Sequence, residues 1–330
     1  MKKVILFGVP THGNIGDAAI VVAEEKFIKD NLSDYEYISV LEEEETKENI
    51  EQFQKIIRDE DIILLHGGGN FGDKYIELEE KRRMIITAFP NNKIILMPQT
   101  IHFSDNENGK MELEKSKKIY GNHKNLTLVA REKVSLEIMK REFSNNNVIF
   151  TPDIVMYLNE TEQRERKGAL LAIRIDMEKV LTDEQIEQIK EIVSRNFESV
   201  KRTDTYLGFE NIKVTEDGVE GDTQILPEMR NKVVNDKLEE FRNAELIITD
   251  RMHGMILSTI TSTPCIAFSN YNHKIKSTFD WIKDQKYVKF LEDTNMLEET
   301  IKELKEYKNC VYNNEFALKE YQKILDVINN

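Results

Sequence analysis

At 330 residues the chain is long enough for two domains, each with its own core. A hydrophobic fraction of 40%, a charged fraction of 32% and a net charge of -14 fit a soluble globular protein. They argue against general nucleic-acid binding, which rests on Lys and Arg neutralising phosphate. No apolar run approaches the roughly 20 residues that span a bilayer. Met1-Lys2-Lys3 leads straight into a strand pattern rather than a signal-peptide core. A cytoplasmic protein with no transmembrane segment is expected, and the two cysteines, Cys265 and Cys310, show neither metal spacing nor a disulfide framework.

Apolar runs at 3–7, 35–41, 61–65, 93–97, 126–130 and 148–150 read as strands. They alternate with helical patterns such as 17–30, with Asp17 as N-cap, and 132–142. Ile62-Ile63-Leu64-Leu65 is apolar throughout, the mark of a parallel strand covered by helices on both faces. The polar, aperiodic stretch 158–167 reads as a linker, which sets domains at 1–157 and 168–330. In the second domain, strands at 169–173, 198–202, 246–249 and 264–268 alternate with helices over 183–196, over 223–242 and from 252. Residues 203–222 read as a long surface loop rich in Gly, Asp, Thr and aromatics, and helices finish the chain. The expected fold class is α/β, two Rossmann-like domains facing a cleft. The charged run 42–45 reads as a solvated face without function.

Polar clusters fall at the carboxyl ends of these strands, where open α/β sheets build their sites. Two of them repeat one pentapeptide: Gly13-Asn14-Ile15-Gly16-Asp17 and Gly69-Asn70-Phe71-Gly72-Asp73, the second preceded by His66-Gly67-Gly68. A glycine loop between a strand and a helix lets a ligand approach outward-facing backbone N–H groups. The others are Pro98-Gln99-Thr100, Arg131-Glu132, Arg174-Ile175-Asp176, Asp250-Arg251-Met252-His253-Gly254 and Ser269-Asn270-Tyr271-Asn272-His273-Lys274. A lone Asp at such a place is ordinarily a helix cap; Arg, His and Asp gathered at one sheet edge point to a site. Arg251 and His253 would sit on the first turn of a helix, where a cation opposes the dipole at a cost of about 0.3–1 kcal/mol unless an anion is bound.

Several standard sites are missing. No Gly-x-Gly-x-x-Gly follows a strand and no Walker lysine follows a glycine loop. Neither a Gly-x-Ser-x-Gly elbow nor a His-Glu-x-x-His pair occurs, and His12, His66, His102 and His123 match no metal template.

Taken in order, the two Gly-Asn-x-Gly-Asp loops, Ala130-Arg131-Glu132-x-x-Ser135, Arg174-x-Asp176 and Asp250-Arg251-x-His253-Gly254 resemble the polysaccharide pyruvyl transferase family. Pro264, Tyr271 and Lys274 fit its C-terminal pattern, and the resemblance covers roughly residues 3 to 280. It implies a GT-B-like fold and transfer of pyruvate from phosphoenolpyruvate to two hydroxyls of a sugar, giving a cyclic ketal and phosphate. The acceptor would belong to an exopolysaccharide, capsule or cell-wall precursor. No metal or redox cofactor is implied; phosphoenolpyruvate is the donor substrate. Such acceptors are often lipid-linked, which would bring the protein to the inner membrane face, although its acidic charge gives no reason to expect this.

The resemblance maps donor binding and catalysis onto Arg251 and His253, with Arg174 and Arg131 competing for a further arginine role. His253 is then expected to handle protons at the donor, and Asp73 or Asp17 to deprotonate or orient the acceptor hydroxyls. Lys274, His66, Gly67, Gly68, Asn70, Gly13, Asn14, Gln99 and Tyr271 complete the expected substrate-binding set. Donor cations would come from the second domain, and the two glycine loops would form the opposite wall. Two other readings stay open: a GT-B-type glycosyltransferase using a nucleotide sugar, and a non-catalytic sugar- or anion-binding protein.

Overall fold

Strand and helix alternate through most of the chain in a computed structural model that describes residues 1–174, 179–211, 213–215, 218–220, 223–269 and 274–330, with 211, 213–215 and 218–220 by backbone alone. In chain order the first elements are β1 (Lys2–Val9), α1 (Ile15–Asn31), β2 (Tyr35–Leu41), α2 (Lys47–Ile56), β3 (Ile62–Leu65), β4 (Gly68–Gly72), α3 (Ile76–Ala88), β5 (Lys93–His102), α4 (Glu107–Gly121), β6 (Leu126–Ala130), α5 (Lys133–Glu142) and β7 (Asn147–Phe150). There follow β8 (Ala169–Ala172), α6 (Asp183–Asn196), β9 (Val200–Arg202), β10 (Lys213–Thr215), β11 (Gly218–Glu220), α7 (Pro227–Arg242), β12 (Leu246–Thr249), α8 (Met252–Ile260), β13 (Cys265–Phe268), α9 (Lys274–Ile282), β14 (Val288–Leu291), α10 (Leu297–Leu304) and α11 (Glu315–Asn329).

Two compact units result, each an α/β sandwich around a parallel sheet, as the apolar strand runs predict. The first holds 1–11, 20–157 and 315–330; the second holds 12–19 and 158–314. The first sheet runs β2-β1-β3-β5-β6-β7, with β4 added beside β5. Its register places Ile5 beside Ile63, and Ile63 beside Ile94, with all three fully buried. The second sheet runs β14-β13-β12-β8-β9, and a separate antiparallel ribbon pairs β10 with β11 inside the expected loop 203–222. Among the described residues no helix is long and apolar enough to cross a membrane.

Three boundaries differ from those read off the sequence. The stretch 158–167 is no free linker. Glu160 donates its N–H to Ile260 O, Lys167 donates to Asn243 O, and Arg242 holds Glu160, so a polar strap is sewn to the second unit by backbone bonds that periodicity does not reveal. The last helix, α11, counts with the first unit: the Tyr321 hydroxyl donates to Asp153 O, and its ring packs on Phe27 and Tyr157. Residues 12–19, which include the first glycine loop, count with the second unit.

Candidate active site

In the second sheet the connections leave β8 toward β9 on one side, while β12 leads toward β13 and β14 on the other. The carboxyl ends of β8 and β12 therefore flank a topological switch point, where open α/β sheets take ligands. Arg174 lies two residues beyond β8; Asp250 and Arg251 follow β12 directly, and His253 is the second residue of α8. Thr249 ties these ends together: its hydroxyl donates to Ala172 O at 2.9 Å and accepts the Arg251 N–H at 2.9 Å. The Asp250 carboxylate accepts the Arg174 N–H at 2.8 Å. Burial pushes the Asp250 carboxyl up to about 6, against the pull of that N–H and of the Arg251 and Arg174 charges. Arg251 is the N-cap residue of α8, and its guanidinium donates to Asp204 at 2.9 Å. Asp204 is only 1% exposed, so this cation is held by a buried partner.

The first pentapeptide closes on the same group. Gly13 O accepts the Leu207 N–H at 2.7 Å, and Ile15 donates its N–H to Thr205 O at 2.8 Å, so the loop is strapped to the segment that carries Asp204. Asn14, not Asp17, caps α1: its Oδ1 accepts the Gly16 N–H at 2.9 Å, while its Nδ2 donates to Asp17 at 2.9 Å. Asp17 sits in the first turn, where a carboxylate favours the helix dipole. Gly16 lies against His253 so closely that a Cβ would overlap Nδ1 and Cγ of the imidazole and the side-chain Cβ. The first loop therefore does not form a wall opposite Arg251 and His253 as expected; it packs on His253 within one unit. Lys274 opens α9, while Tyr271 and Asp176 lie outside the described residues.

The second pentapeptide has a different fate. It is not a loop entering a helix but a strand, β4, that pairs with the end of β5, and α3 begins only at Ile76. Gly72 has φ +145 and runs against His102 O, where no side chain fits. Asp73 accepts the Ser104 N–H at 2.9 Å. Asn70 Oδ1 accepts from Arg82 at 2.7 Å and from Gln99 at 3.1 Å, and Gln99 also donates to His66 O at 2.9 Å. Glu24, fully buried on α1, accepts from His66 Nδ1 at 2.7 Å and from the Gly67 N–H at 2.8 Å, and Gly68 opens β4. Arg131 is 3% exposed and bonds to Asp153 at 2.7 Å and Thr100 at 2.8 Å, which gives it strand ends of the first unit to hold.

Sequence reading misses Asp204, Glu24 and Glu45. Asp204 follows a strand end, the same positional signal that singles out Arg174. Glu24 falls on the apolar face of α1 with Ile20 and Phe27, where an acid must find a buried partner. Glu45 is part of the run taken as solvated, yet it is only 5% exposed.

The sequence profile of polysaccharide pyruvyl transferase matches residues 14–273. The chain is 38% identical over 327 residues to general stress protein 30 of Bacillus subtilis, covering 98% of this chain and 91% of that one. It is 30% identical over 278 residues to pyruvyl transferase 1 of Schizosaccharomyces pombe, covering 82% and 67%. A functionally uncharacterised protein from Klebsiella pneumoniae subsp. pneumoniae shares the fold, with TM-score 0.57 and 18% identity over 88% of this chain and 93% of that one. With the family's motifs laid out at the strand ends of two Rossmann-like units and its profile spanning most of the sequence, the chain belongs to the polysaccharide pyruvyl transferase family.

Proposed function

We propose that the protein transfers pyruvate from phosphoenolpyruvate to two hydroxyls of a sugar in a polysaccharide or cell-wall precursor, forming a cyclic ketal and releasing phosphate. The observation that carries this reading is Arg251 and His253, two residues apart at the start of α8 and at the switch point of the second sheet, with the first glycine loop packed on His253. Phosphoenolpyruvate carries a carboxylate and a phosphate. Arg251 and Arg174 supply cations of the right shape, and the start of α8 supplies backbone N–H groups. Asp204 keeps the Arg251 guanidinium oriented before the anion arrives.

In the proposed reaction His253 delivers a proton to the methylene carbon of phosphoenolpyruvate, leaving an oxocarbenium-like centre at the adjacent carbon. One sugar hydroxyl attacks that centre; a second then displaces phosphate as the bond between that carbon and the bridging phosphate oxygen breaks. Two hydroxyl protons are released, one returning to His253 and one leaving with phosphate. Asp17 or Asp73 orients the hydroxyls, or takes up a hydroxyl proton and passes it on to those acceptors. Phosphate release from phosphoenolpyruvate, measured with and without an oligosaccharide acceptor, tests the reading. Release that requires acceptor and fails in His253→Ala supports it. Wild-type turnover in His253→Ala contradicts the assignment.

A further inference from the structure

The first sheet has its own switch point, between β1 and β3, because β1 leads to β2 on one side and β3 continues toward β5 on the other. A small cavity of about 30 Å³ sits at these carboxyl ends, lined by Gly8, Glu45, His66, Asn70 and Arg82 among others. Its floor is tightly built. A Cβ on Gly8, which has φ +81, would press on His66 at 3.3 Å, and Glu24 holds the far side of the His66 ring. Glu45 Oε1 is buried and makes no hydrogen bond of good geometry, although the Gly8 N–H points toward the carboxyl. A buried acceptor left unmatched costs stability, and natural folds keep few of them.

The chemistry of the lining selects a ligand class. Arg82 is already engaged by Glu79 and Asn70, whereas Glu45 and Glu42 present carboxylates, so the pocket favours neutral donors over anions. The volume admits one group the size of a water molecule. We propose that this pocket receives a single hydroxyl group of the sugar acceptor, with Glu45 accepting its hydrogen bond beside His66 and Asn70. The proposal rests on the pyruvyl-transfer reading only for calling that sugar the acceptor. Burial raises the Glu45 carboxyl to about 7, against Lys81, the Gly8 N–H and Arg82, while Glu42 adds to the rise. With these groups and the Glu24–His66 pair around it, Glu45 gains its full accepting power as pH rises through that value.

Saturation-transfer NMR with methyl hexopyranosides and N-acetylhexosaminides, on the full chain at pH 8, tests the pocket. The wild type should bind at least one of them, and Glu45→Gln should weaken binding at least tenfold; Glu45→Asp, which keeps the charge but retracts it, should fall between. Both variants should retain the thermal shift given by phosphoenolpyruvate. Equal binding by Glu45→Gln, or no binding of any glycoside by the wild type, overturns the proposal. Failure of phosphoenolpyruvate to shift the wild type instead removes the donor reading and leaves the glycoside result standing as a test of the pocket alone.

Discussion

The same pentapeptide is used in two ways. In the second unit Gly13–Asp17 is a helix-entry loop that leans on His253; in the first unit Gly69–Gly72 is part of a strand that extends the sheet beside β5, with Asp73 just past its end. The fourth residue is glycine in both copies, for unlike reasons. Gly16 is small because an imidazole occupies the space of its side chain, whereas Gly72 is small because its backbone is left-handed and faces a carbonyl. A shared motif therefore does not imply a shared role; the neighbour against each glycine decides it.

The most damaging change to chemistry should be His253→Ala, with a fall in turnover of about 10²–10⁴-fold, well beyond the stability cost of losing its packing against Gly16. Gly16→Ala should follow. Ring rotation alone cannot clear the added methyl, because it also meets the His253 Cβ, so the starts of α1 and α8 must shift slightly. If His253 acts as proposed, a displacement of about 1 Å there costs on the order of 10²-fold in kcat. Gly72→Ala should invert that pattern. Its methyl meets backbone that cannot move aside, so a loss of about 3 kcal/mol in denaturant unfolding is expected. Equal effects of the two glycine substitutions on turnover and stability would collapse the distinction between the motifs.

Stability should also depend on pH through two raised carboxyls. Glu45 rises from 4.5 to about 7 and Asp250 from 3.8 to about 6, one in each unit. A carboxyl raised in the folded state binds its proton more tightly there than in the unfolded chain. Its contribution is complete below the unfolded value and is lost as pH rises through the folded one. The thermal midpoint should therefore decline between about pH 4 and 7. Glu45→Gln, which removes the buried charge, should be more stable than wild type at pH 8 by up to about 3 kcal/mol, and the two should converge near pH 4. The smallest effect separates the two aspartates. Asp73→Asn should cost about 1 kcal/mol by weakening the acceptor of the Ser104 N–H, and Asp17→Asn should lower turnover more than Asp73→Asn does.

Much of this was legible before the fold was known. Continuous apolar runs such as Ile62–Leu65 mark buried parallel strands, and Arg174, Arg251 and His253 sit where strand ends place chemistry. What stayed hidden depends on partners distant in sequence. Nothing in the pattern of α11 says that Tyr321 reaches Asp153, and the polar letters of 158–167 conceal backbone bonds to the second unit. Glu45 looks like its exposed neighbours until β2 and β3 are laid beside β1. The second pentapeptide misleads for a similar reason: its pairing with β5 is long-range, while its glycines suggest a loop.

Ligand-dependent thermal unfolding of the wild-type protein tests the central claim most directly. A ligand that binds only the folded state raises its stability according to its concentration over Kd. Phosphoenolpyruvate should raise the midpoint by several degrees, and Arg251→Lys should lose most of that shift because a point charge replaces a planar fork. A midpoint raised by nucleotide sugars and left unchanged by phosphoenolpyruvate would contradict the account.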